Sequence, residues 1–251
     1  MVAPNGARRG KKDHPALPVS ITEIAQTAAA CHAAGAGAIH AHVRDNDGAH
    51  VLDAGLYGEL LCEINNQSPE VKVQITTESA GRYSPDEQRR LLYDLRPPWA
   101  SVSLAEMTAD GDDEGIKGFY WRAHDENIEI QHILYSPREA GQLAHLCANG
   151  VIPSSSVSVL LVLGRYSPAT DGTAEMLTPF LETMPRGAKF MACAFGKDEY
   201  KCLLAAAKAG GDCRIGFENN LHLANGAIAA DNAEKVSELI AMLSDNPFNQ
   251  L

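Results

Sequence analysis

Ser84-Pro85-Asp86-Glu87 and Ser136-Pro137-Arg138-Glu139 are one helix-start signal written twice: a hydroxyl for the N-cap, proline at the first helical position and a glutamate at the capping-box spacing. Ser20 and Glu23 repeat the spacing without the proline. Between the helical stripes lie short β-branched or small-residue runs at 36–43, 71–77, 99–104, 128–135, 157–163, 189–195 and 213–217. Helices are expected after Ser20, from Asp53, after Ser84, over 112–123, after Ser136, and over 173–184, 199–209 and 232–243. An extended piece, Met1 to Pro4, precedes the first of them. Strands that alternate one for one with helices build parallel sheets, and eight of each in 251 residues predict a (β/α)8 TIM barrel, with a doubly wound open sheet as the alternative. No linker or composition break divides the chain, so residues 1–251 are expected to be a single domain.

A hydrophobic content of 45% supplies a core, yet no apolar run nears the roughly 20 residues of a membrane helix. The formal net charge of −11 gives a field that repels phosphate, which argues against nucleic acid or anionic membrane as a partner. The opening MVAPNGARRGKKDHP has no apolar segment after its basic residues, unlike a secretory signal, so a soluble cytoplasmic protein is expected. Cys31, Cys62, Cys147, Cys193, Cys202 and Cys213 include no C-x-x-C pair and read as reduced residues of the core.

The run GAGAIHAHVRDNDG, residues 35–48, carries the strongest chemical signal. Successive side chains of a strand point to opposite faces, so His40 and His42 project from one face roughly 7 Å apart, at the carboxyl end of the strand. Ligand sites gather at that end in parallel-sheet proteins. Asp45-Asn46-Asp47-Gly48 superficially suggests a calcium loop, but the glycine and glutamate positions of such a loop are not matched, and it reads as a turn. Other polar residues fall at predicted strand ends: Asn5 and Arg8, Thr76 and Thr77, Ser101 and Ser103, Gln131, Arg214 and Glu218. Closure of a barrel brings the last strand beside the first two, so Glu218 can complete a His2Glu site with a position left open for substrate. Its alternative role is to cap the following loop.

Ala3-Pro4-Asn5-Gly6-Ala7-Arg8, His14-Pro15, Leu17-Pro18, residues 35–48, Gln74-Ile75-Thr76-Thr77 and Arg214 through Asn220 together resemble the β-keto acid cleavage enzyme family. The resemblance implies a zinc-dependent barrel, a homotetramer, and an acyltransferase that converts a β-keto acid and acetyl-CoA into acetoacetate and a new CoA thioester. It implies that His40, His42 and Glu218 hold the metal and that Arg214 and Asn219 are the catalytic pair. Asn5, Arg8, Thr76 and Ser103 are then expected to contact substrate, the alternative for Thr76 and Ser103 being ordinary strand-end hydrogen bonds. Asn219 stands where many members carry aspartate; an amide is no general base, so the base is unassigned. The loop Gly164 to Pro168 lacks glycines often found there, which bears on the CoA contact. Where members accepting an amino-bearing keto acid have a carboxylate, this chain has Arg8, so neutral or dicarboxylic substrates are expected over cationic ones. A metal-dependent aldolase or hydrolase using the same site, and a non-catalytic binding protein on the barrel fold, are the competing readings.

Overall fold

The structure is a computed structural model that describes residues 1–166 and 169–245. In chain order its elements are α1 (Ile21–Ala33), β1 (Ala38–Ala41), α2 (Ala54–Gln67), β2 (Lys72–Thr76), α3 (Pro85–Leu95), β3 (Trp99–Ser103), α4 (Leu104–Met107), α5 (Asp113–Asp125), β4 (Glu129–Leu134) and α6 (Pro137–Ala148). There follow β5 (Ser158–Leu163), a small hairpin of β6 (Arg165–Tyr166) and β7 (Ala169–Thr170), a 3-10 turn (Ala174–Met176), α7 (Leu177–Thr183), β8 (Lys189–Ala194), α8 (Glu199–Lys208), β9 (Asp212–Cys213) and α9 (Asn232–Ser244).

Seven strands pair in parallel in the order β1-β2-β3-β4-β5-β8-β9. The sheet is curled. Val2 bridges in parallel to Ile39 on one edge and to Ile215, just past β9, on the other. His40 N–H donates to Val2 O at 2.8 Å, and Ala3 N–H to Ile215 O at 2.8 Å. A large apolar cluster lies between the outer face and the helices, built from residues such as Ile39, Ile75, Val102, Leu134, Leu161 and Leu203. The inner face has two halves. Ile133, Leu160, Val162, Met191 and Cys193 form a small apolar cluster on β4, β5 and β8. Across from it, His40, Gln74, Ser101, Gln131 and Ser158 are buried polar residues of β1 to β5, with His40 in register with Gln74, Thr76 with Ser101, Ser101 with Gln131 and Gln131 with Ser158.

Helix starts follow the sequence signals. Ser20 and Ser84 form full capping boxes with Glu23 and Glu87. Ser136 accepts from Glu139 N–H, but the Glu139 carboxylate reaches back one residue further, to Tyr135 N–H at 2.9 Å. Elsewhere the structure corrects the expectation. The strand expected over 213–217 ends at Cys213, because Gly216 takes φ +147° and a Cβ there would lie 2.3 Å from Ala3 O. The helix expected over 173–184 begins as a 3-10 turn and becomes α-helical only at Leu177. Ser103 ends its strand by capping α4, which the sequence pattern did not signal. Of the loop Gly164 to Pro168, whose sequence left the CoA contact unassigned, Ser167 and Pro168 lie outside the described residues. Among the described residues, no helix is long and apolar enough to cross a membrane.

Candidate active site and metal centre

His40 and His42 are 1% and 0% exposed, and their Nε2 atoms face each other at 3.1 Å. Glu218 Oε2 lies 3.6 Å from His40 Nε2 and 3.7 Å from His42 Nε2. Among the described residues, these three side chains place one ligand atom each within 4.8 Å of one another. Local bonds hold each in place. Asn5 donates to His42 O at 2.8 Å and accepts from His42 N–H at 3.2 Å, so the residue beyond β1 cannot swing away. Glu218 N–H donates to Ala3 O at 3.0 Å, and Gly6, at φ +61°, has no Cβ to collide with Glu218 Cγ at 2.6 Å. Arg44 gathers the carbonyls of Gly6, Ala7, Arg9 and Gly48, tying the 5–10 loop to the end of β1.

The protonation pattern follows from a buried polar row. His40 Nδ1 meets Gln74 Oε1 at 2.9 Å, Gln74 Nε2 donates to Gln131 Oε1 at 3.1 Å, and Gln131 Nε2 reaches Ser158 Oγ at 3.4 Å. With the Gln74 amide oriented by Gln131, its oxygen must accept, so His40 Nδ1 carries the proton and Nε2 keeps a lone pair. Burial pulls His40 down to about 4 against the opposing Glu218 charge, and it pulls His42 well below its ordinary value. Both imidazoles are therefore neutral near pH 7. Glu218 Oε2 is buried with no hydrogen-bond partner. Two imidazole nitrogens and an orphaned carboxylate oxygen, spaced near the ~3.3 Å that tetrahedral geometry around ~2 Å bonds requires, fit a divalent cation of the zinc type.

Arg214 stands beside this triad. Its Nη2 donates to Glu218 Oε1 at 3.1 Å and contacts Cys193 Sγ at 3.6 Å, while Nε and Nη1 are buried without partners. Burial disfavours its charge, but the Glu218 carboxylate outweighs that, so the guanidinium is held above its ordinary value. A buried cation with two unmet donors is a receptor for an anion.

A model of the beta-keto acid cleavage enzyme family matches residues 1–246. The chain belongs to that family. The 3-keto-5-aminohexanoate cleavage enzyme of Fusobacterium nucleatum subsp. nucleatum is 25% identical over 246 residues, covering 96% of this chain and 89% of that protein. The 3-oxoadipate:acetyl-CoA acetyltransferase of Cupriavidus necator is 23% identical over 261 residues, covering 97% and 87%. In fold, this family member is similar to apo ObcA at a TM-score of 0.68 and 15% identity, covering 92% of this chain but 62% of the longer ObcA chain.

Within this frame the other residues singled out by sequence fall in different places. Thr76 is 1% exposed and its hydroxyl accepts from Glu78 N–H at 3.0 Å, while Ser103 accepts from Glu106 N–H at 3.3 Å. Asn5 spends both ends of its amide on the His42 backbone. Arg8 is exposed, yet its charge reaches the site by acting on Glu78. Asn219 is 2% exposed and neither amide atom has a partner. Sequence reasoning quoted Gln74 within a family segment but gave it no role, and it missed Glu78. Glu78 Oε2 lies 3.9 Å from His42 Nδ1, and burial, reinforced by Glu218 and Glu106, pushes its carboxyl up to about 7. A glutamate one step past a strand-end Thr-Thr pair was a usable signal; Gln74, polar in mid-strand between Val73 and Ile75, was another.

Proposed function

We propose that this chain exchanges the acyl group of a β-keto acid with acetyl-CoA, at a zinc ion held by His40, His42 and Glu218, in a closed (β/α)8 barrel made of residues 1–251 as one domain. Closure is supported by Val2, which reaches both sheet edges and makes the Met1 to Pro4 piece the missing strand. In the reaction R–CO–CH2–COO⁻ gives up its acyl carbon to the CoA sulfur, and the acetyl carbon leaves that sulfur for the released CH2–COO⁻ unit. Acetoacetate and R–CO–S-CoA result, with every atom accounted for. The observation that carries this reading is the convergence of three metal-type donors beside the two unmet N–H groups of Arg214. The names borne by the Fusobacterium and Cupriavidus relatives point to the same chemistry.

When bound, the ion supplies Lewis-acid polarisation of a carbonyl oxygen. Arg214 offers its fork to the substrate carboxylate, and its bond to Glu218 fixes the direction of that fork. Gln74 holds the His40 tautomer that leaves Nε2 free. Asn219 presents an amide beside Glu218, where no aspartate is available to move a proton. Asn5 positions His42 through its backbone, and Thr76 and Ser103 shape the strand ends from which substrate is met. Arg8 screens substrates by charge from the rim. We read the enzyme as cytoplasmic and homotetrameric, with small-molecule substrates and no nucleic acid or membrane partner, in keeping with its charge of −11.

The test is to incubate metal-loaded protein with acetyl-CoA and a panel of β-keto acids and to follow acetoacetate and new thioesters by mass spectrometry. Paired appearance of both products is expected. A β-keto acid consumed without a new thioester would replace acyl transfer with hydrolysis or aldol cleavage.

A further inference from the structure

The two histidines of the metal centre differ in how their far nitrogens are held. His40 Nδ1 donates to Gln74 Oε1 at 2.9 Å, whereas His42 Nδ1 is buried without a hydrogen-bond partner. His42 turns its other nitrogen, Nε2, toward His40 Nε2 at 3.1 Å and Glu218 Oε2 at 3.7 Å, so Nε2 is the nitrogen on the side of the ion. To bind a cation Nε2 must offer a lone pair, which puts the ring proton on Nδ1. A buried N–H without an acceptor is destabilising, and ligation makes that N–H a stronger donor by drawing electron density from the ring. The acceptor at hand is a carboxylate. Glu78 Oε2 lies 3.9 Å from His42 Nδ1, about 1 Å beyond a charge-assisted hydrogen bond. The backbone of Glu78 is pinned from both sides, its N–H donating to Thr76 Oγ1 at 3.0 Å and its carbonyl accepting from His50 Nε2 at 2.9 Å, so a rotation of the side chain alone closes the gap. Glu78 adds no atom to the set of donors that lie within 4.8 Å of one another, and its reach is to the ligand rather than to the ion.

We propose that Glu78 is a positioning residue of the metal centre, its carboxylate accepting the His42 Nδ1–H in the metal-loaded protein and doing for His42 what Gln74 does for His40; this rests on the metal assignment in the reading above. Both partners then come from one element. Gln74 lies within β2 in register with His40, and Glu78 lies two residues past the end of that strand, so β2 and its exit orient both imidazoles carried by β1 and its exit. The two partners differ in strength. An amide oxygen fixes a tautomer, while a carboxylate fixes the tautomer and also places a negative charge against a ring that shares the charge of the ion, which makes the ring a better ligand.

Zinc affinity, measured by competition with a chromophoric chelator, and the imidazole N–H signals of the zinc-loaded protein, followed by nitrogen-edited proton NMR, test the assignment. Glu78→Ala should lose about 10- to 100-fold in zinc affinity with all three ligands intact, and Glu78→Gln, which keeps an acceptor oxygen, should recover most of that loss. In the spectrum Glu78→Ala should move the His42 N–H proton upfield and leave that of His40 in place, and Gln74→Leu should do the opposite. A merely structural role for Glu78 would not separate the two signals. Zinc affinity of Glu78→Ala within twofold of wild type, the same loss in Glu78→Gln as in Glu78→Ala, or a His42 signal unmoved in Glu78→Ala overturns the role given to Glu78. No zinc binding by the wild type overturns it together with the metal centre. The expected pattern without exchange of any β-keto acid would leave Glu78 standing and sink acyl transfer, whereas exchange by the wild type with zinc affinity untouched in Glu78→Ala does the reverse.

Discussion

Gln74 decides which nitrogen of His40 is free for a metal, and it does so from a neighbouring strand. Removing that bond in Gln74→Leu should weaken metal binding by about 10- to 100-fold with the three ligands intact, whereas His40→Ala, His42→Ala and Glu218→Ala should each lose the ion on dialysis. Elemental analysis and competition with a chromophoric chelator measure both effects; full occupancy in all three ligand variants would remove the metal from this site. Arg8 makes a separate prediction. In the wild type, kcat/KM should favour neutral or dicarboxylic over cationic β-keto acids of matched length, and Arg8→Glu should shift that ranking toward the cation. An unchanged ranking refutes the role given to Arg8. The His-x-His pair was legible because its period matches the pleat, and Glu218 because ligands gather on the segments that follow parallel strands, although its own strand stops at Cys213 rather than beside it. Asn5 could be picked out by residue type, but its role could not, because its amide is consumed by a backbone two elements away and no spacing reports that. Gln74 escaped for the same reason, since its value depends on register with β1.

At the scale of elements, the capped starts of α1 and α3 and the parallel order of strands were readable because caps and alternation are local rules. The shortened last strand was not, because its cause is a contact between residues far apart in the chain: Gly216 against Ala3. Gly216→Ala should therefore destabilise the fold by about 1–3 kcal/mol or more, through strain at positive φ and a Cβ driven into a backbone carbonyl. It should also weaken metal binding, since Glu218 lies two residues further on; a urea midpoint equal to wild type would contradict the destabilisation. His132, on the outer face of β4 against Tyr120, supplies a pH test. Burial pulls it down to about 4 with Nδ1 unpartnered, whereas an unfolded histidine titrates near 6.5. Between those values the unfolded chain binds more protons, so stability rises with pH through that window by up to about 1.4 kcal/mol per unit and is complete above it. Other buried imidazoles act with the same sign, so the readout is a difference: His132→Leu should have a shallower dependence of unfolding free energy on pH from about 4 to 6.5. Parallel curves would refute it.

The whole molecule sets two tendencies against each other. A net charge of −11 makes copies of the chain repel at long range, while Trp121 on α5, Ile240 on α9 and Ile228 in the loop before α9 expose 40%, 39% and 64% of their surface. The charge could be counted from the sequence. Which apolar side chains stay uncovered could not, because that depends on how the helices pack against the sheet. If the proposed homotetramer forms, apolar contact must outweigh the repulsion, and the repulsion is the part that salt screens, with a Debye length of about 8 Å at physiological strength against about 30 Å at 0.01 M. Light scattering at micromolar protein should then give close to four times the 26.9 kDa chain mass at physiological salt, with dissociation appearing first on dilution into low salt. Ile228→Asp adds charge at the most exposed of these three side chains and should shift the same equilibrium toward smaller species if that loop faces a neighbour. A mass near 26.9 kDa at physiological salt and micromolar concentration would rule the tetramer out, and a mass that falls as salt is raised would show that ion pairs rather than apolar contacts hold the subunits together.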